Sequence, residues 1–350
     1  MTRIVQWATG AVGGAQLRAV IDDPNLELVG LFVYSPDKVG VDAGALVGRA
    51  PTGVLATDDK DEILALDADV VLHAASKGFP VNTNTDDIVE LLASGKDVIT
   101  TTSYNHLPTF GQDAADRIEA ACRAAGTRFH AGGEHPGFMF ERLATSLTGL
   151  CQRVDRITVQ EFVDCSGLTE PKMLMELMGM GKHPDEISTN SPMFRAVSVQ
   201  YEQALAATAE TLHLPIDEIG HEIRTAVVDH DVPVACGTLP AGSVVGQILS
   251  WSAYRAGEPR LVAEEYWTCT PIPEWDLSID DMFLVRVIVA GAPNLTVDLR
   301  IDRAPIPEFG DVSGGHLAVA MSAVRAIPYV LASPPGVVVP AIFGAYRWPS

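Results

Sequence analysis

The stretch Arg3-Ile4-Val5-Gln6-Trp7-Ala8-Thr9-Gly10-Ala11-Val12-Gly13-Gly14 decides how the rest of the chain is read. An apolar run meets glycines, and helix-compatible sequence follows. That order predicts a buried parallel strand, a tight turn and a helix N-terminus. Such a helix start presents free backbone N–H groups and a partial positive charge, which favours phosphate. Gly10 is expected to allow the sharp turn, and Gly13 to let a pyrophosphate approach the backbone. Thr9, Gly10, Ala11, Val12 and Gly13 are therefore the first candidate cofactor-binding residues. The spacing is G-x-x-G, not the full G-x-G-x-x-G, so the motif alone also fits a βα turn that binds nothing.

Working outward, the alternation continues. Residues 12–22 carry helical spacing and stop at Pro24, and Glu27 to Tyr34 is a second strand, completing a βαβ unit. The residues after that strand inform cofactor choice. They read Tyr34-Ser35-Pro36-Asp37-Lys38, a hydroxyl and an ammonium in reach of a ribose 2′-phosphate, where NAD sites usually place an acid on the 2′-OH. Ser35 and Lys38 favour NADP(H) over NAD(H); Asp37 is the feature that suits NAD.

Short strands are expected at residues 54–57, 69–74, 98–102 and 127–131, with helices at 58–66, 83–93 and 111–125 between them. This is the pattern of a doubly wound parallel sheet with right-handed crossovers. Ligands of such sheets sit beyond the carboxyl ends of the strands. His73, Ala74 and Ala75 end one strand there, Thr101 and Thr102 the next, and Gly133, Glu134 and His135 follow the last.

Bulk properties bound the function. A chain of 350 residues suggests two domains. A net charge of −21 argues against general nucleic-acid binding and against anionic membranes. No apolar run is expected to be long enough to cross a bilayer, and a strand begins almost at the N-terminus with no signal-peptide pattern. Five dispersed cysteines without a C-x-x-C pair fit reduced thiols in a cytoplasmic protein. The histidines show no metal-ligand spacing such as H-E-x-x-H, so no metal is expected, and no G-x-S-x-G elbow supports serine hydrolysis.

Several strings resemble one family. Val5 to Gly13, the turn Gly132-Gly133-Glu134-His135-Pro136-Gly137-Phe138, and the segments Gly315-His316-Leu317 and Ala326-Ile327-Pro328 resemble dihydrodipicolinate-reductase-like proteins. The resemblance is greatest to the branch of 2,4-diaminopentanoate dehydrogenases and native amine dehydrogenases. In the turn, His135 stands where that branch usually has Asn. The resemblance implies an NAD(P)-dependent oxidoreductase with an N-terminal Rossmann domain, a second α+β domain with a sheet, and commonly a homodimer. It implies that a helix over 311–332 packs back on the first domain. That gives 1–137 with 311–350 as the dinucleotide-binding domain and 138–310 as the substrate and dimerisation domain.

Amine dehydrogenases of the branch carry a Glu shortly after the strand matching residues 98–102. The loop here reads Thr101-Thr102-Ser103-Tyr104-Asn105-His106-Leu107-Pro108 and puts Ser103 or Tyr104 at that Glu, with no carboxylate in the loop. Reductive amination is therefore not carried over with the resemblance.

Reduction of a carbonyl or imine needs a proton donor beside the forming heteroatom. Tyr104 and His106 occupy the expected loop, with a packed tyrosine and a solvated histidine as the structural alternatives. Glu134 is the third candidate: burial beside apolar groups would raise its pKa and suit acid–base work, while a carboxylate serving backbone N–H groups of a helix start is the alternative. His73 is placed in the cofactor groove. Asp164, His183 and Tyr201 offer polar groups from the second domain.

In that domain a helix is expected at 138–150 and another at 192–213. Strands follow at 156–163, 222–228, 242–254, 260–270, 282–290 and 295–301, forming a largely antiparallel sheet with one face free for a second subunit. The four methionines of Pro171 to Gly181 fit a pocket, a core or an interface.

These features together predict NAD(P)H-dependent reduction of a small, largely apolar carbonyl or imine compound. An amine dehydrogenase with Glu134 as its carboxylate is the first alternative. A non-catalytic NADP(H)-binding sensor is the second.

Overall fold

The computed structural model describes residues 1–77, 82–275, 283–302, 312–339 and 341–349. The chain divides into two compact units, Met1–Phe138 with Arg303–Ala341, and Met139–Asp302 with Ile342–Ser350.

The first unit is built on a parallel sheet of β1 (Thr2–Trp7), β2 (Leu26–Phe32), β3 (Val70–His73), β4 (Asp97–Thr100) and β5 (Arg128–Ala131), with a two-residue strand, Gly336–Val337, beyond β5. The order across the sheet is Gly336–Val337, β5, β4, β3, β1, β2. Successive side chains of a strand face opposite sides, and both sides here are apolar. Val5, Trp7, Val71, Val98 and Phe129 pack with Ile88 and Leu91 of helix α2 (Thr85–Ala93) and Ile118 and Cys122 of helix α3 (Gln112–Ala125). Ile4, Val70, Leu72 and Ile99 pack on the other side with Val20 of helix α1 (Ala11–Asp22) and with Ala323, Val324, Ile327 and Val330. Covering on both faces is what a parallel sheet requires. Gly126 ends α3 at φ +71°, the left-handed cap a glycine takes without strain.

Three expectations need correction here. Residues 54–57 form only single bridges, Thr57 to Phe32 and Leu55 to Asp42, because Asp59 immediately opens the helix Lys60–Ala65 by accepting from the N–H groups of Asp61 and Glu62. The expected helix over 311–332, whose first residue lies outside the described residues, is two helices, Gly314–Val324 and Ile327–Ala332. Pro328, lacking an N–H, sits at the start of the second, where it costs nothing. Finally, Gly314–Ala332 is, among the described residues, one stretch long and apolar enough to cross a membrane, with mean hydropathy 1.3. Arg325 interrupts it, which hides it from a search for unbroken apolar runs. Its Ala323, Val324, Ile327 and Val330 are core residues of the unit.

The second unit is built on a sheet of six strands. β6 (Arg153–Asp164), β7 (Glu218–Val227), β10 (Val244–Arg255), β11 (Glu258–Thr268), β12 (Phe283–Ala292) and β13 (Leu295–Arg300) lie in the order β13-β12-β6-β11-β10-β7. A small hairpin, β8 (Val232–Val234) and β9 (Gly237–Leu239), lies outside it. A hairpin turning at Ala256 and Gly257 joins β10 and β11. The sheet is largely antiparallel, as expected, with one parallel pairing where that hairpin returns with β11 beside β6. Helix α4 (Pro192–Thr211) covers one face, stacking Tyr201 on Trp251 at 3.9 Å between ring centroids. Met178 and Met180 are buried in this core, with Met173 and Met175 packed at its margin.

The helix expected at 138–150 begins slightly earlier, after the extended His135, in wide turns that run to Ala144. The last residues group with the second unit, whereas the sequence reading joined them to the first. Tyr346 N–H donates to Thr148 Oγ1 and Trp348 N–H to the Leu212 carbonyl, and both rings pack on that core.

Candidate active site

The turn after β1 is made differently from the glycine reading. Ala8, not Gly10, takes the left-handed conformation, at φ +75°. Gly10 has φ −70° and ψ −168°, which any residue adopts. The buried Gln6 side chain holds the turn: its Nε2 donates to the Ala8 carbonyl at 3.0 Å and to Gln16 Oε1 at 3.1 Å. A Cβ on Gly13 would lie 2.2 Å from that same carbonyl oxygen. Gly13 therefore serves the close packing of α1 on its own strand. A Cβ on Gly10 or Gly14 would meet nothing within 4 Å. Helix α1 has no side-chain cap, so the N–H groups of its first turn, at Ala11, Val12 and Gly13, have no intrahelical acceptor. An open, uncapped helix start with partial positive charge fits a dinucleotide phosphate.

Lys38 closes on this loop from the end of β2. It lies in the turn Pro36–Lys38, and its Nζ donates to Thr9 Oγ1 at 3.1 Å and to the Thr9 carbonyl at 3.2 Å. Ser35 lies exposed just before it. Behind them runs a chain that the sequence reading missed. Trp7 Nε1 donates to the Tyr34 hydroxyl at 2.9 Å, which donates to Asp87 Oδ2 at 3.1 Å. Lys60 and Lys77 both donate to Asp87, at 2.7 and 3.0 Å. Burial raises the Asp87 carboxyl, but the two lysines together outweigh it and hold its pKa below the ordinary value. Burial pushes the Tyr34 hydroxyl up to about 12.

The ends of β3 and β4 are fastened together. His73 is fully buried, and its Nδ1 is 3.0 Å from Thr100 Oγ1, which is 2.7 Å from Thr102 Oγ1. Burial lowers the His73 pKa to about 4, so the ring is neutral, and its Nε2 has no partner among the described residues. Ala74 N–H donates to the Trp7 carbonyl and Thr101 N–H to the His73 carbonyl. The Ala75 carbonyl accepts from Asn84 Nδ2, and the buried Asn84 Oδ1 lacks a partner among the described residues. At Gly133 a Cβ would meet nothing within 4 Å.

The three candidate proton donors sit in different surroundings. Tyr104 is buried in the sheet core, its ring 4.4 Å from that of Phe110, its hydroxyl 2.9 Å from Thr85 Oγ1 and 3.3 Å from Asn82 Oδ1. Burial pushes its pKa up to about 12. His106 opens the helical turn Leu107–Phe110, where Nδ1 accepts from Thr109 N–H at 3.3 Å. Glu134 follows β5, is 6% exposed, and its Oε1 has no hydrogen-bond partner among the described residues. Burial alone raises its pKa to about 8. Next to it, both ring nitrogens of His135 are shut away from solvent, which lowers that ring to about 3 and keeps it neutral.

The second unit holds its own buried polar group. Glu161 of β6 and Glu265 of β11 stand in register on neighbouring strands. Glu265 accepts from Tyr201 OH and Trp267 Nε1, each at 2.6 Å, and Tyr201 OH lies 3.4 Å from Glu161 Oε2. Burial raises the Glu265 pKa, and two carboxyls on neighbouring buried positions favour sharing a proton. Their signal in sequence is an acid at a core-facing position in RITVQEFVD and RLVAEEYWT. Of the polar residues noted for this unit, Tyr201 joins that group. Asp164 accepts from Ser166 N–H, and His183 caps the turn Pro184–Glu186.

An amine dehydrogenase of Streptomyces virginiae is 30% identical over 351 residues, covering 96% of this chain and 94% of the relative. The chain belongs to the oxidoreductase family of that enzyme. It is an NAD(P)-dependent oxidoreductase. Solved structures share the fold of this oxidoreductase. An amine dehydrogenase from Mycobacterium smegmatis superposes with a TM-score of 0.70 at 19% identity, over 99% of this chain and 97% of that one. A probable dehydrogenase from Thermotoga maritima does so with a TM-score of 0.60 at 12% identity, over 98% and 91%. No protein-family model matches the chain.

Proposed function

We propose that this oxidoreductase reduces a small, largely apolar carbonyl compound or its imine, with ammonia as co-substrate, and that Glu134 handles the proton. Bound at the start of α1, a nicotinamide dinucleotide would supply the hydride; the rest is the work of the chain's own residues. The observation that carries the reading is Glu134: a buried carboxyl beyond the parallel sheet, with one oxygen unengaged among the described residues and a pKa of about 8. Near neutral pH such a group holds a proton it can give up, and in its charged form it suits an ammonium or iminium ion. The Tyr104 hydroxyl and His106 Nδ1 are each engaged by neighbours in the fold. The relative's name supports an amine as the reduced product.

The same reading includes NADP(H) as the preferred cofactor, with Lys38 and Ser35 receiving the 2′-phosphate beside Thr9. The first unit is the dinucleotide-binding domain, and the second supplies substrate contacts and a homodimer surface on its open sheet face. All five cysteines are free, which suits a reducing cytoplasm. The test is NADPH oxidation with short ketones, with and without ammonium. Ammonium-dependent turnover that Glu134→Gln abolishes supports the proposal. Turnover indifferent to ammonium returns it to plain carbonyl reduction, and cofactor binding without turnover across the panel leaves the sensor reading.

A further inference from the structure

The second unit contains a cavity of about 90 Å³ between the segment 176–187, the first turn of α4, and strands β7, β10 and β11. It is lined by Met178, Phe194, Leu249 and Trp267, all buried, and by Met193 and Ile223. Folded interiors leave few voids larger than a water molecule, and here two of the lining residues are tethered. Trp267 Nε1 donates to Glu265 at 2.6 Å, which opposes rotation of the ring into the space. Gln247 Nε2 ties down the Met178 carbonyl at 2.6 Å. Gly179, at φ +81°, keeps the adjoining turn tight, since a Cβ there would lie 2.6 Å from Ile187 Cδ1. The polar lining is the buried Gln247, whose Nε2 is engaged as above, together with Ser191, Glu186, Glu176 and Lys182, whose Nζ donates to the Glu176 carbonyl at 2.9 Å.

A dry apolar cavity of roughly 150 Å³ accepts benzene. By that scale, 90 Å³ holds an alkyl chain of about three or four carbons and no aromatic ring. We infer that this cavity binds the alkyl end of a small aliphatic molecule, with its polar end at the rim beside Glu176 and Lys182. The inference rests on the second unit alone and stands or falls apart from the proposed reaction.

The test uses the full chain with carbon-13 methyl-labelled methionine, since Met178 and Met193 line the cavity and Met1 and Met321 do not. Straight-chain primary alcohols from ethanol to 1-hexanol are titrated. Saturable shifts of the Met178 and Met193 methyl signals are expected, with affinity rising about fourfold per carbon up to butanol, the worth of one buried methylene, and then levelling off. Leu249→Phe and Ile223→Phe fill the space and are expected to abolish these shifts, with the Met321 signal and the thermal melt confirming the fold. If neither variant folds, Met193→Ala decides: the plateau must move to longer chains, read on Met178. Absent or non-saturating shifts, a steady rise with chain length, or unchanged shifts in a folded filled variant overturn the inference. Because the signals report this cavity directly, loss of turnover or of cofactor binding has no bearing on the result.

Discussion

A Cβ placed on Gly13 would sit 2.2 Å from the carbonyl oxygen of Ala8. The obstacle is backbone, so no side-chain rotation relieves it. Gly13→Ala is therefore expected to cost about 2–3 kcal/mol of stability in urea unfolding. Gly10 points into open space, so Gly10→Ala should unfold with the wild type but bind the dinucleotide about tenfold more weakly in calorimetry. Equal binding by Gly10→Ala and wild type would move the phosphate site away from this turn.

The Lys38 ammonium is held against Thr9 at the mouth of the same loop. A charge-assisted contact to a 2′-phosphate is worth about 1.5–3 kcal/mol. Lys38→Ala is therefore expected to weaken NADP(H) binding by at least about tenfold while leaving NAD(H) within about twofold. An equal loss for both cofactors would show that Lys38 merely braces the loop through Thr9.

The parallel sheet was legible because its strands are buried on both faces and so read as short apolar runs, Val70-Val71-Leu72 and Val98-Ile99 among them, each followed by polar residues. The turn was found in the right place with the wrong mechanics: a left-handed alanine leaves no compositional trace, and what braces it, Gln6 against Gln16, is a pair ten residues apart that only the fold brings together. Glu134 was visible as a carboxylate after β5, but its isolation depends on what surrounds it. The parallel pairing of β6 with β11 depends on where a hairpin lands about 100 residues later, and strand patterning carries no information on that.

Glu134 sets a pH dependence with a definite sign. Its folded pKa of about 8 lies above the ordinary 4.5, so between those values the folded chain binds more protons than the unfolded one. Its contribution is complete below about pH 4.5 and is lost as pH rises through 8. At about 1.4 kcal/mol per pH unit, the whole interval amounts to about 5 kcal/mol. Glu134→Gln is expected to flatten this slope in urea unfolding measured from pH 5 to 9, and to lower kcat/KM by about 100-fold or more while removing the ionisation near pH 8 from the rate profile. A rate profile unchanged in the variant would take the proton from Glu134 and give it to another group.

The buried pair in the second unit separates a shared proton from a fixed donor. Tyr201 OH and Trp267 Nε1 both donate to Glu265 at 2.6 Å. Burial raises the Glu265 pKa, and the hydrogen bonds it accepts pull it back only in part. The sign is therefore the same: stability from this group falls as pH rises above the ordinary carboxyl range. Tyr201→Phe strips one donor from a buried carboxyl and is expected to cost about 2–3 kcal/mol. Glu161→Gln replaces the proton between the two side chains with an amide N–H that no base removes. It should cost under about 1 kcal/mol near neutral pH and reduce the loss of stability above it. A Glu161→Gln protein as damaged as Tyr201→Phe, or with an unchanged slope, would mean that no proton is held between the two carboxyls.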